Sequence, residues 1–414
     1  MSTDATIVTS NELKAGCWNL RLLFITWDGP QVSYLESLFL PIFQGLRSHG
    51  IETSVLQFGW GDEARTRAIG QACEQAGVGY GSARVLRQGG ALGAAATAVA
   101  GARHVRGAVG EFRPDVIMPR SHMPALAVLA AGGERLGRIC FDADGLPSEE
   151  RAEFAGLKHG GPVYRALNAI ESAMIRRSES VLVRSSFAAR HLAERTGVPA
   201  ERFHVVTNGR DPAAFAPGTE EARRAVRSGL GIPESAPLLV YAGSIGPQYG
   251  LDRILSTASA VHARRSDARL LILTGSPDAA AEAIRGADLA LAAVTTIRQL
   301  PPDQVPGHLA AADAGLCFRA RTLSTQAVAP VKLGEYLLCG LPVIGTEGIG
   351  DTGPAAAAGV FMDEAGGPEA AADWLLTSVI PKRESFRAKA RRVGLDHFSL
   401  ARSVADYAAA LGLT

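Results

Sequence analysis

Lys332 and Glu335 stand three residues apart at the head of a short apolar segment, inside Val-Ala-Pro-Val-Lys-Leu-Gly-Glu-Tyr-Leu-Leu-Cys-Gly-Leu-Pro-Val-Ile-Gly-Thr at residues 328–346. On a helix this spacing puts both groups on one face, a turn apart. An ammonium at a helix N-terminus can meet a phosphate, and a carboxylate can accept two sugar hydroxyls at once. Gly340 suits the end of such a helix, and Pro-Val-Ile at 342–344 reads as a buried strand that follows at once. The same residues also fit an ordinary αβ unit with an exposed ion pair, so the elements around them have to decide.

Those elements alternate along the chain. The run Arg-Leu-Leu-Phe-Ile-Thr at 21–26 reads as a strand buried on both faces, followed by the loop Trp-Asp-Gly-Pro at 27–30, a helix over 33–49 and a strand over 51–56. Further strands are expected at 116–118, 138–142, 180–183 and 203–206, with helices between them. Turn residues break the pattern at Asn-Gly-Arg-Asp-Pro, 208–212, and the charged, proline-edged segment 217–237 reads as a bridge. A second series places strands at 237–241, 268–274, 294–297, 314–318 and 342–345, with helices over 251–264, 278–285, 305–312 and 332–339. The reading is α/β: two Rossmann-like αβα domains, residues 19–212 and 213–396, after a disordered leader at 1–18. A last helix within 397–414 is expected to cross back to the first domain.

Bulk composition narrows the function classes. A hydrophobic content of 47% with 20% charged residues reads as soluble and globular, and a net charge of +1 gives no footprint for nucleic acid. Cys17, Cys73, Cys140, Cys317 and Cys339 lack metal-type spacing and point to reduced thiols in a cytoplasm. Residues 1–14 lack the apolar core of a secretory peptide, and no run reaches the roughly 20 apolar residues that span a bilayer.

Four segments carry a resemblance. Val-Thr-Asn-Gly-Arg-Asp at 206–211 with Phe215, Tyr-Ala-Gly-Ser-Ile-Gly-Pro-Gln-Tyr-Gly at 241–250, the stretch 300–313, and the block 330–346 come in the order found in the family 4, or group 1, glycosyl transferases. The chain resembles these retaining enzymes over residues 20–395. The resemblance implies the GT-B fold, with its two Rossmann-like domains facing a cleft. It also implies transfer of a sugar from a nucleotide diphosphate sugar to an acceptor hydroxyl with retention at the anomeric carbon, and no metal or other cofactor.

Carried over residue by residue, the resemblance makes Glu335 the ribose-binding carboxylate, Lys332 a diphosphate cation and His122 the histidine that meets the transferred sugar, the three catalytic candidates. Donor-side candidates are Gly243, Ser244, Gly246, Arg298, Arg319, Arg321 and Gln326 together with Lys332 and Glu335. The chain departs from the family in its phosphate loop, where Ser244 and Tyr249 stand in place of an arginine and a lysine, so charge must come from Lys332, Arg319 or Arg321. It departs again at Ala327, where the family has its first carboxylate, which leaves sugar contacts to Ser324, Thr325, Gln326 or backbone amides. Gly29, Asp142 and Asp144 are acceptor-side candidates, the two aspartates reading equally well as a polar turn. The broad apolar face of residues 33–49 and the arginine excess over 151–202 leave open a lipid-linked acceptor and contact with the inner membrane face, against core packing and a solvated charge run. Rival readings are a sugar-nucleotide epimerase, and a GT-B protein that binds a nucleotide sugar or a partner enzyme without catalysis.

Overall fold

The apolar run at 21–26 becomes the centre of a parallel sheet because it is buried on both faces. In the computed structural model, which describes residues 19–30, 34–85, 90–287 and 289–413, it is β1, Leu20–Asp28. Around it lie β2 (Ile51–Gly59), β3 (Gly79–Arg84), β4 (Val116–Pro119), β5 (Arg138–Asp142), β6 (Ser180–Val183) and β7 (Phe203–Val205), in the order β3-β2-β1-β4-β5-β6-β7. Leu22, Leu23, Phe24 and Ile25 are fully buried, and each such side chain contributes about 1.5–3 kcal/mol over leaving it in water. The second sheet holds β8 (Leu238–Ala242), β9 (Arg269–Leu273), β10 (Thr295–Arg298), β11 (Ala314–Cys317), β12 (Val343–Gly345) and β13 (Phe361–Asp363), in the order β10-β9-β8-β11-β12-β13. Every pairing in both sheets is parallel. Chain order reverses between β1 and β4 in one sheet and between β8 and β11 in the other. Ligands of such sheets bind at these points, outside the carboxyl ends of the strands.

By internal contacts the chain divides after Val206 and again after Arg402, where the sequence suggested 212 and about 397. The last helix, Leu400–Ala410, buries Val404 and Tyr407 in the first unit, and Val404 lies against Gly45 there. The segment expected to bridge the domains belongs instead to the second unit. Its helix, Glu220–Gly229, is pinned by Arg223 and Arg227 to Asp313 beside β11, at 3.0 and 2.8 Å. Arg383 reaches the same carboxylate at 3.0 Å, and the Leu238 amide donates to it at 2.9 Å.

The broad apolar face near residue 40 has a plain explanation. A π turn, Leu35–Phe39, leads into the helix Leu40–Arg47, and Leu35, Leu38, Phe39, Leu40, Ile42, Phe43 and Leu46 are all buried. Phe39 packs on Phe24 of β1 with ring centroids 4.7 Å apart. The face is core, which leaves the membrane contact suggested for it without a surface. Part of the arginine excess over 151–202 is paired within the unit: Arg184, buried, with Asp142, and Arg195, partly buried, with Glu171 and Asn168, while Arg176 stays exposed and donates to the Thr196 carbonyl. The leader at 1–18, Cys17 and the expected helix start at Ser33 lie outside the described residues. Among those described, no helix is long and apolar enough to cross a membrane.

Candidate donor site and the histidine of the first unit

The helix carrying the lysine and glutamate runs Val331–Leu338 and ends through Gly340, whose φ of +75° places it in the left-handed region that favours glycine. Tyr336 fixes this helix against the sheet. Its hydroxyl accepts the Ala242 amide of β8 at 2.8 Å and reaches the Leu316 carbonyl of β11 at 3.4 Å. One turn earlier, Lys332 is thereby set against the end of β8. Its Nζ donates to the Tyr241 hydroxyl at 3.0 Å, and that hydroxyl donates to the Ser244 carbonyl at 2.6 Å. Gly243 has a φ of +149°, which favours glycine, and a Cβ there would lie 2.7 Å from Lys332 Nζ. Burial lowers the Lys332 pKa to about 7. The neighbouring Arg319 lowers it further, while Cys317 and Glu335 oppose the shift.

Glu335 does not stand free. Arg210 Nε lies 3.0 Å from its Oε1, and burial pushes its pKa up against the pull of Arg210 and Lys332. The Arg210 backbone is held on both sides, its amide donating to the Phe398 carbonyl and its carbonyl accepting from Leu400. Arg319, just past β11, exchanges backbone bonds with Thr346 Oγ1 at 3.1 Å and lays its guanidinium 4.5 Å from the Tyr249 ring centre. The loop after β8 and the loop after β11 touch, the Ala320 amide donating to the Gln248 carbonyl at 3.1 Å. Lys332, Glu335, Gly243, Arg319 and Arg210 thus gather at the strand-order switch of the second sheet.

Other candidates fall elsewhere or serve the backbone. Ser244 contributes its carbonyl to Tyr241 and exposes its side chain, and Gly246 is extended ahead of the turn Pro247–Tyr249. Gln326 donates to the Thr322 carbonyl at 3.2 Å within its own short helix, Leu323–Gln326. Two arginines do not join the cluster. Arg298 ends the edge strand β10, exposed, donating to the Ile297 carbonyl at 2.9 Å, with β9 between it and β8. Arg321 pairs with Asp363 at 3.0 Å on the wall of a cavity of about 610 Å³ that Pro247, Phe318 and Ala320 also line. Ala327 is fully buried, so the position of the missing carboxylate is a packed methyl group.

In the first unit, His122 opens the helix His122–Ala131 behind Ser121, whose φ of +63° is strained for a serine. The ring is 2% exposed; Nε2 shares a 3.0 Å hydrogen bond with Ser148, and Nδ1 is buried with no hydrogen-bond partner. Burial, with Arg151 and Arg195 adding to it, lowers its pKa to about 3, which keeps it neutral at ordinary pH. In this conformation neither nitrogen is open to a sugar. Asp142 is fully buried, with Arg184 at 2.8 and 2.7 Å and Arg120 at 3.0 Å, which corrects its assignment as an acceptor contact. Asp144 shares Arg120 at 2.6 Å and stays one-third exposed at its side chain, 33%. Gly29 lines a cavity of about 880 Å³ at the ends of β1, β2 and β3, where Gln57 links Asp28 at 3.2 Å to Tyr80 at 2.8 Å. Among the described residues, no group of three or more His, Cys, Asp or Glu could hold a metal ion.

Sequence reasoning missed four partners. Arg210 and Tyr241 lay inside motifs already quoted, at positions where an arginine and a tyrosine were legible. Ser148 and Arg184 carry no local signal, because the fold alone brings them to His122 and Asp142.

Two parallel sheets of this kind are the fold of the GT-B glycosyltransferases among solved structures. The solved HepE of Anabaena in complex with UDP-glucose matches with a TM-score of 0.69 over 95% of this chain and 99% of that one, at 16% identity. WaaG, a glycosyltransferase involved in lipopolysaccharide biosynthesis, matches with a TM-score of 0.67 over 95% and 99%, at 19% identity. The chain belongs to the group 1 glycosyl transferases: residues 236–378 match the family described as Glycosyl transferases group 1, and residues 38–209 match the Glycosyl transferase 4-like domain. Curated relatives include a D-inositol 3-phosphate glycosyltransferase of Kineococcus radiotolerans, 29% identical over 34% of this chain and 35% of its own length. Another is a GDP-mannose-dependent monoacylated alpha-(1-6)-phosphatidylinositol monomannoside mannosyltransferase of Corynebacterium glutamicum, 32% identical over 35% of this chain and 39% of its own length. The matches thus span well under half of the length of these relatives.

Proposed function

We propose that this chain transfers a sugar from a nucleoside diphosphate sugar to an acceptor hydroxyl with retention of configuration, without a metal, in assembly of a bacterial cell-envelope polysaccharide or glycolipid. The supporting observation is the placement of Lys332 and Glu335 on one helix face at the β8–β11 switch, with Gly243 opening the backbone beside the ammonium. Lys332 and Arg319 meet the charge that grows on the leaving diphosphate, and Glu335 accepts from the ribose. The diphosphate takes the acceptor's proton as the new bond forms on the same face. Gly29, on the wall of the first unit's cavity, is the acceptor-side candidate of this reading, and a lipid-linked acceptor is its version by analogy with the phosphatidylinositol monomannoside named for one relative. A role for His122 beside the transferred sugar requires its ring to leave Ser148.

Glu335→Ala is expected to weaken nucleoside diphosphate binding by at least about a hundredfold, since two charge-assisted hydrogen bonds are lost. Calorimetry with the nucleotide sugar that most raises the melting point in a thermal-shift panel checks this. Unchanged affinity would remove Glu335 from the donor site. The packed methyl of Ala327 favours a second reading, a non-catalytic binder of nucleotide sugars. Slow release of free nucleotide from the donor alone supports the enzyme, and binding without such release supports the binder.

A further inference from the structure

Tyr249 stands where the resemblance puts a phosphate-binding lysine, and the structure gives the ring a different task. Arg319 Cζ lies 4.5 Å and Lys332 Nζ 4.9 Å from its centre. Arg319 is fixed at its backbone amide and carbonyl by Thr346, yet its Nε is buried with no hydrogen-bond partner. Lys332 bonds only a neutral phenol, Tyr241, among the described residues. The other cations nearby are neutralised: Arg210 by Glu335, Arg253 by Glu364 and Arg321 by Asp363. An aromatic face attracts a cation through its quadrupole and orients it without cancelling its charge, which a carboxylate in the same place would do. Two like charges this close to one ring repel one another, and an anion arriving between them relieves that repulsion.

We propose that Tyr249 is a positioning residue that holds Arg319 and Lys332 together as a diphosphate clamp, replacing the two cations missing from the loop after β8. The proposal rests on the donor-site reading above. Its ligand is the diphosphate of a nucleoside diphosphate, and Arg321 has no part in it.

The test is calorimetry on the full chain with UDP and GDP, using uridine and guanosine as competitors. Tyr249→Leu is expected to weaken whichever diphosphate the native protein binds by about tenfold while leaving its nucleoside within about twofold. Tyr249→Phe, which keeps the ring, should leave both within about twofold. Arg319→Ala should lose about tenfold, and adding Tyr249→Leu to it should cost less than about threefold more, because with the arginine gone the ring has no second cation to hold beside Lys332. Equal losses for nucleoside and diphosphate would show a merely structural ring and overturn the proposal, as would additive losses in the double variant. Native-like diphosphate binding by Tyr249→Leu sinks the clamp alone. A native protein that binds neither UDP nor GDP sinks the donor-site reading and the clamp with it.

Discussion

Lys332→Met is expected to lower sugar transfer by about a thousandfold and to remove the pH dependence of nucleotide binding. Removing one preorganised charge from the place where negative charge develops is typically worth about 10²–10³ in rate, and a lysine in so dry a setting stands at the upper end. The pH dependence follows from burial, which lowers the free-protein pKa from 10.5 to about 7. A diphosphate favours the ammonium and raises that value in the complex, so binding takes up a proton. Affinity is therefore full below about pH 7 and falls as pH rises above it, by at most about tenfold per unit, until the pKa of the complex is passed. Titrations in two buffers of different ionisation enthalpy read the uptake directly, and at pH 8 the native protein should take up most of one proton and the variant none. Without ligand the sign reverses. The folded state disfavours the buried ammonium, so between about pH 7 and 10.5 native stability rises with pH, and at pH 6 the methionine variant should melt above the native protein. A variant that melts lower and transfers sugar normally would make Lys332 a packing residue.

Asp313→Asn is expected to destabilise the second unit by roughly 3–5 kcal/mol, because it strands cations that the fold has already buried. Arg223 and Arg227 are 1% exposed at their side chains, and both point at this carboxylate, with Arg383 as a third partner. Asparagine keeps the shape and an acceptor for the Leu238 amide but removes the charge. For a unit of this size the loss corresponds to a fall in melting temperature of roughly 6–20 °C, measurable by calorimetry. Nucleotide affinity per folded molecule should be unchanged, since Asp313 sits at the opening end of β11 and Arg319 follows the other. A shift under about 2 °C would mean that the arginines find other partners at little cost.

How much of this was legible without coordinates depended on where the information lies. Strands buried on both faces announced themselves as apolar runs, so β1, β8, β9 and β11 were placed within one or two residues at most of their ends. The edge strands β3 and β13 were not seen. Gly-Tyr-Gly-Ser-Ala-Arg has no apolar run, and Phe-Met-Asp is too short to show a period; pairing with β2 and β12 makes them strands. The lysine, glutamate and glycines of the site were readable because they lie close in sequence. What engages each of them was not. Arg210 reaches Glu335 across 125 positions and Tyr241 reaches Lys332 across 91, distances that only the sheet topology closes. Asp142 shows the same limit from the other side. Its place after a strand suggested an open carboxylate, and the fold supplies Arg120 and Arg184 to cover it.

A crystal structure with the bound nucleoside diphosphate sugar tests most directly whether the β8–β11 switch is the donor site. The diphosphate should lie within about 3 Å of Lys332 Nζ, with a ribose hydroxyl on Glu335. A sugar nucleotide seated elsewhere, with Lys332 still bonded to Tyr241 and Glu335 still closed by Arg210, would contradict it.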